Sequence, residues 1–489
     1  MGRRPVPGED TTGDTMGENA MSDEDLCFRP ATELAADIRS RRLSPVEVTE
    51  AVLARIEALN PVLNCFCTPT PELAIEQAKA AEQAVMKGQP LGALHGVPYS
   101  IKDLQMTKGI RTMRGSKIFE HDVPDIDTPL ESRLRAAGGV FLGKTTTPEF
   151  GWKGCTDSAV TGITRNPWNT DRTPGGSSGG ASSQVAAGLG PLAQGGDGGG
   201  SIRIPCAFAG IFGIKPTLGT VPYYPMPTNE QLSHLGPMTR TVSDAALMLG
   251  VIAGYDARDR YSQPLGPQDY LSGLQAGIRG AKVCWSPTLG YATVDAEVAA
   301  ATEKAAKSFT ELGAEVDDED PGLGDPSEFF LVLYQGAMAG GLSQYLPEWE
   351  DQMDPGLVYM IKRGMEYSAV DYIGARIQRY DFCGKVQQFF ENYDFLLTPA
   401  VAVPAFEVGR VAPDPDAIAA EELFKWTPFS FPFNATGHPA ASVPCGFTKD
   451  GLPIGLQIVG GRFHDLRVLQ ASRAFEQIMP WADKRPPLE

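Results

Sequence analysis

Apolar positions in the N-terminal part of the chain recur at helical spacing before they switch to alternation. Ser44-Pro45-Val46-Glu47 supplies a capping box with a proline suited to the first helical position, and Val48, Val52, Ile56 and Leu59 then repeat on one face. Asn60-Pro61 predicts the stop of that helix. Helical patterning is also present from near Ala31, and another helix is predicted from about Glu72 to Lys87, ended by Gly88. Beyond it Val97, Tyr99 and Ile101 alternate as strand residues do, which sets Lys102 at the end of an apolar strand. A solvated lysine has little reason to be there, although a snorkelling surface side chain would give the same pattern.

Further on, a helix at about 129–137 leads through Gly138-Gly139 into a strand at Val140-Phe141-Leu142-Gly143. A helix is predicted to start near Thr241-Val242-Ser243-Asp244, followed by a helix-rich insert from about 295 to 393. Phe395–Pro399 reads as a strand and Leu452–Gly460 as a buried strand, with a last helix after it. This alternation of strand, loop and helix predicts an α/β architecture with helices covering a sheet. No internal repeat and no linker composition divides the chain, so one large domain is expected over residues 26–489. Residues 1–25 read as a disordered extension in which Met16 or Met21 would serve equally as the natural start. Arg3 and Arg4 are followed by Pro, Gly, Asp and Glu rather than an apolar run, so neither an export signal nor a membrane span is expected.

Charge narrows the partners. Sixty acidic against 42 basic residues leave a net charge of −18, which argues against nucleic acid and anionic membranes and favours small neutral or cationic ligands. The eight cysteines show no pairing framework, and Cys65-Phe66-Cys67, the one close pair, has no histidine near it. Reduced, mostly buried thiols in a cytoplasmic protein are expected, with no metal and no cofactor.

The candidate chemistry lies in Thr173–Pro205. Thr-Pro-Gly-Gly-Ser-Ser-Gly-Gly at 173–180 and Gln-Gly-Gly-Asp-Gly-Gly-Gly-Ser-Ile-Arg-Ile-Pro at 194–205 are two glycine nests, each holding serine, separated by a short helical run. Such density lets backbone N–H groups approach a reacting atom without a Cβ in the way. Apolar Val185-Ala186-Ala187 and Pro191-Leu192-Ala193 between the nests speak against a flexible linker. A phosphate-binding loop would need Lys-Ser or Lys-Thr where Ala181-Ser182 stands. Gly175-Gly176-Ser177-Ser178-Gly179 matches the nucleophile elbow of α/β-hydrolases in letters, but a polar loop, Asn166–Pro174, precedes it where a buried strand belongs. The histidines C-terminal to it that could serve such a triad are His234, His438 and His464, none in a persuasive setting.

A lysine-based site fits better. Ile101-Lys102-Asp103, Pro174–Gly180 and Asp197-Gly198-Gly199-Gly200-Ser201-Ile202-Arg203-Ile204-Pro205, in that order and spacing, resemble the amidase signature hydrolases, and the resemblance extends from about Leu26 to the last helix, including Asn434–Ala440. It implies a single large α/β domain with a mixed central β-sheet covered by helices. By position it implies Ser201 as nucleophile, Ser177 as a bridging serine preceded by a cis peptide bond, and Lys102 as terminal base. Elementary chemistry agrees with those roles: a serine hydroxyl needs a neighbour to take its proton, and lysine can do so only while neutral, which burial favours.

The N–H groups of Gly198, Gly199, Gly200 and Ser201 are the expected oxyanion donors. Asp197 and Arg203 are expected to tie the loop down as an ion pair, with Ser178 as a hydrogen-bonding support. Many members of the family carry hydroxyl residues on either side of the aspartate, where this chain has Gly196 and Gly198. Thr147–Gly154 resembles the broad-range bacterial amidases, nylon-oligomer hydrolases and urethane-cleaving members. By that likeness Gly151 offers a backbone carbonyl to substrate, and Trp152 and Tyr99 line the pocket, with core packing as the rival role of both aromatics. The expected reaction is hydrolysis of small apolar or aryl amides, extending to carbamates and esters, with a small molecule and water as partners, neither nucleic acid nor membrane, and a homodimer left open. Two other readings remain at this point: an amidase component of the amidotransferase type, and a silent binding protein that kept the fold. Against the former, Val221-Pro222-Tyr223-Tyr224-Pro225 and Leu232–Pro237 stand where those amidotransferase components carry Arg-Tyr-Gly and Ser-Leu-Asp-Gln.

Overall fold

Eleven strands of the chain join one mixed sheet in the computed structural model, which describes residues 1–2, 22–229, 231–266, 268–414 and 423–488. In chain order the strands are β1 (Phe66–Pro69), β2 (Pro98–Lys102), β3 (Val140–Thr145), the small ladder β4 (Asp157–Ser158) with β5 (Gly162–Ile163), β6 (Leu192–Asp197), β7 (Phe212–Lys215), β8 (His234–Thr239), β9 (Lys282–Trp285), β10 (Glu315–Asp318), β11 (Phe395–Pro399), β12 (Ala440–Phe447) and β13 (Pro453–Gly460). Apart from the ladder they lie in the order β1-β3-β2-β6-β8-β7-β12-β13-β11-β9-β10. The β3-β2-β6 and β11-β9-β10 groups are parallel, and the centre between them is antiparallel.

Helices cover both faces, as expected when strands are buried throughout. The predicted helices at 44–60, 72–87 and 129–137 are present as Pro45–Leu63, Pro71–Met86 and Pro129–Ala136. The first overruns its predicted stop: Pro61 lies inside it, and Asn64 in the left-handed region ends it. Proline is tolerated because it and Glu57, whose carbonyl loses its N–H partner, are exposed to water. Val242–Ile252 is capped by Thr241, and Asp465–Ile478 closes the chain's secondary structure.

Of the predicted N-terminal extension, residues 3–21 lie outside the described residues, while Asp23–Cys27 forms a short helix capped by Ser22. The insert at 295–393 is helix-rich, as expected, and also contributes β10, which pairs in parallel with β9 at the sheet edge. Its helices Ser327–Leu342, Pro355–Glu366 and Ala369–Phe389 build a second apolar core around Phe330, Leu333, Met338, Leu357 and Phe382. That core reaches the loop after β6, where a Cβ on Gly199 would stand 3.8 Å from Phe330, and its Tyr334 and Leu342 line the candidate cavity.

Candidate active site

Period-two geometry sets the face of each residue on β2. Tyr99 and Ile101 point into the main core, while Ser100 and Lys102 point the other way, where Ser100 Oγ donates to Gln184 of the helix Gly179–Ala186. Lys102 is 1% exposed. Its Nζ lies 2.7 Å from Ser177 Oγ and 2.9 Å from Ser178 Oγ. Burial pulls its pKa down to about 7, although the charge of Asp197 works in the opposite direction.

Ser177 is held by backbone that has no room for side chains. The Gly176–Ser177 peptide bond is cis, as the family likeness implies. A Cβ on Gly176 would meet the Cys155 carbonyl oxygen at 2.5 Å, and Gly175 sits at φ +79° with Pro205 Cα 2.9 Å from its would-be Cβ. Ser178 Oγ donates to Gly196 O (3.1 Å) and accepts from Gly196 N (3.2 Å), so it ties this turn to β6.

Ser201 follows β6 in the loop before the helix Arg203–Ala209 and lines one cavity with Lys102, Ser177, Gly151, Gly198 and Gly199, of about 210 Å³. Asp197 and Arg203 shape this loop from beneath. Both are fully buried: Arg203 Nε and Nη2 donate to the two Asp197 oxygens at 3.0 and 2.9 Å, and Asn434 Nδ2 donates to Asp197 Oδ1 at 2.8 Å. Burial alone would raise the Asp197 pKa, but the Arg203 charge and these hydrogen bonds hold the carboxyl well below its usual range. Arg203 also reaches Ser430 O and Gln457 Oε1, at 2.7 and 2.8 Å.

The donor set of the loop differs from expectation at one position. Gly200 N–H donates to Asp197 Oδ1 at 2.7 Å, so it is engaged inward. The N–H groups of Gly198, Gly199 and Ser201 have no acceptor among the described residues. Gly151, at φ +72°, abuts Ser177 so closely that a Cβ would stand 3.1 Å from Ser177 Oγ.

The two predicted pocket aromatics separate. Tyr99 does not line the cavity: its ring packs 5.6 Å from that of Phe141 and its hydroxyl donates to Glu131, on the face of β2 opposite Lys102. Trp152 is buried in the second core and borders a small adjoining cavity of about 20 Å³ with Gly199, Ser201 and Tyr334. Among residues the sequence did not single out, Phe150, Tyr334, Tyr345, Arg114 and Asn229 line the main cavity. Asn434 and Gln457 support its loop, and Gln457 carried a signal, being polar in the middle of the apolar run Leu456-Gln457-Ile458. His438, buried with its pKa lowered to about 3 by desolvation, bonds to Thr436 and does not line the cavity.

Comparison with known proteins gives this arrangement a context. A family model described as Amidase matches residues 47–469. The acylamidase of Rhodococcus erythropolis is 40% identical over 474 residues, covering 95% of this chain and 98% of that protein. A glutamyl-tRNA(Gln) amidotransferase component from Moorella thermoacetica is 35% identical, covering 95% and 99%. Among solved structures, a bacterial aryl acylamidase of the amidase signature enzymes superposes with a TM-score of 0.88 at 32% identity, over 94% of this chain and 98% of that one. A 6-aminohexanoate cyclic dimer hydrolase bound to its substrate follows at 0.87 and 31%, over 94% and 99%. These likenesses and the fold make the protein an amide-hydrolysing enzyme of the α/β class. The chain belongs to the amidase signature family.

Proposed function

We propose that the protein hydrolyses small apolar or aryl amides through an acyl-enzyme on Ser201, with Ser177 relaying protons to Lys102. The observation that carries this reading is the 2.7 Å contact between a fully buried lysine and the Ser177 hydroxyl at the wall of the Ser201 cavity. A neutral amine has two N–H groups and one lone pair. Nζ donates to Ser177 Oγ and Ser178 Oγ as the contacts stand; in the neutral amine proposed for catalysis the Ser178 contact is kept, and the lone pair is left to accept the proton of the Ser177 hydroxyl at 2.7 Å.

As Ser201 Oγ attacks the carbonyl carbon, its proton passes to Ser177 Oγ while the Ser177 proton passes to Lys102 Nζ. The new oxyanion lies against the unengaged N–H groups of Gly198, Gly199 and Ser201. The carbonyl oxygen of Gly151 accepts the substrate N–H. Collapse breaks the C–N bond, the leaving nitrogen receives a proton back along the same path, and water repeats the sequence to release the acid. A carbamate or ester offers the same carbonyl, so both belong to the proposed range. Aromatic and apolar lining by Leu104, Met106, Phe150, Leu342 and Tyr345 supports bulky, weakly polar substrates. The eight free cysteines fit a reducing, cytoplasmic setting.

Ser201→Ala, Ser177→Ala and Lys102→Ala should each remove most aryl amidase activity while leaving thermal unfolding cooperative. A fluorophosphonate probe should modify the peptide containing Ser201, whereas an α/β-hydrolase site would be modified at Ser177. Full turnover by the Ser201 variant would sink the assignment. The amidotransferase-type reading instead requires glutamine to be the preferred amide, which a direct comparison of glutamine with an anilide decides. An inert protein in both assays and towards the probe would support the binding-protein reading.

A further inference from the structure

Two residues of the cavity wall hold a backbone conformation that L side chains rarely adopt. Arg114 (φ 56°) and Phe150 (φ 50°) are both left-handed, and Phe150 N–H donates to Arg114 O at 2.8 Å. Gly115 next to Arg114 presses so closely on the 147–148 backbone that a Cβ would meet the Thr147 and Pro148 carbonyl oxygens at 2.7 Å. Strain of this kind persists where the surrounding structure imposes it, and it clusters at ligand clamps. Here both residues, an arginine and a phenylalanine, line the cavity that holds Ser201.

The guanidinium is only partly spent. Its Cζ lies 3.8 Å from the centroid of Phe119, whose ring meets Phe150 and Tyr345 edge-on at 5.9 and 5.8 Å. Its one side-chain hydrogen bond among the described residues runs from Nη2 to Asp122 Oδ2, at 3.0 Å, and Nε is buried without a partner. Among the described residues the charged groups of the cavity wall are Lys102, drawn towards neutrality by burial, Arg114, paired through Nη2 with Asp122, and Asp197, answered by Arg203 below. Arg114 Nη1 makes no hydrogen bond among the described residues, so the guanidinium keeps donors for an incoming anion.

We propose that Arg114 forms an anion subsite of the catalytic cavity, selecting amides that carry a carboxylate on the part of the molecule lying along the Phe150–Tyr345 wall. A guanidinium pairs with carboxylate in a planar fork that a neutral isostere cannot use. The inference rests on the hydrolytic reading of the site, so its test separates binding from turnover.

The host is Ser201→Ala, and the probes are 4-acetamidobenzoate and acetanilide, compared by calorimetry. The carboxylate should bind about 10-fold or more tightly, the order expected for one charge-assisted pair. Adding Arg114→Met should bring the two affinities together, Arg114→Lys should keep part of the preference, and raised salt should weaken only the carboxylate. Should the Arg114 variants fail to fold, Asp122→Asn, which frees the guanidinium, should widen the preference. Equal affinities in the host, no binding of either probe, or a preference that survives loss of Arg114 would overturn the subsite. A clear preference in the host, with no hydrolysis of either compound by the native enzyme, would keep the subsite and reject the hydrolytic reading.

Discussion

Lys102 is the residue where function and stability pull apart. The unfolded chain keeps a proton on this lysine up to about pH 10.4, but in the folded protein the amine releases it at about 7. Between those values the unfolded state holds more protons, so stability attributable to this group rises with pH; at or below about pH 7 the full penalty applies. Replacing the amine should therefore stabilise the fold. Lys102→Met is expected to raise the unfolding free energy by at most ~5 kcal/mol near pH 7, with the gain shrinking towards pH 10, measured by denaturant titration at several pH values. With Lys102 as the proposed base, kcat/KM for a neutral anilide should climb through pH 7 and level off above it. A rate independent of pH between 6 and 8 would contradict a lysine base.

At the scale of elements, the sequence showed what periodicity encodes and missed what tertiary contacts decide. The end of β2 was legible because an apolar alternation terminates in a lysine. The same period of two sets Tyr99 and Lys102 on opposite faces, so the pocket role expected for Tyr99 conflicts with its own strand assignment. β6 was hidden because Gly195 and Gly196 read as nest rather than strand. Gly195 is there for packing: a Cβ on it would stand 2.5 Å from Met238 Sδ on β8. Inward engagement of Gly200 depends on Asp197 being turned by Arg203 and Asn434, the latter more than two hundred residues away, which no local pattern reveals.

The insert shows the same dependence on contacts between elements. Gly356, on the helix Pro355–Glu366, leaves space for Trp152, since a Cβ there would meet the indole Cη2 at 2.3 Å. Trp152 in turn borders the small cavity beside Ser201, and its carbonyl accepts from Tyr334 at 2.8 Å. Gly356→Ala should cost ~1–3 kcal/mol as overpacking. It should also raise KM for aryl amides, because the displaced indole moves the wall next to Ser201. An unchanged melting temperature with unchanged KM would show that the ring gives way without consequence.

Across the whole molecule, the loop that carries Ser201 is fastened to the other end of the chain. Asp197 and Arg203 meet Ser430, Asn434 and Gln457, which belong to the segment before β12 and to β13. The loop that carries Ser201 is thereby referenced to C-terminal strands in the centre of the sheet, not to its own neighbours alone. A buried ion pair is a poor source of net stability but an expensive thing to break. Its use here is geometric, because Asp197 also fixes Gly200 and Ile202 N–H, at 2.7 and 3.2 Å, and so sets the curvature of the nest. If these groups act as one unit, their contributions cannot add. Asn434→Ala and Arg203→Lys should each destabilise by ~1–3 kcal/mol, and the double variant should fall short of their sum by about 0.5–3 kcal/mol. The rate of Ser201 labelling by a fluorophosphonate should follow the same non-additive pattern, since either change releases the loop that the other would have released. Strict additivity in both stability and labelling would mean that Asn434 and Arg203 hold separate structures, and that the nest is shaped by its own sequence alone.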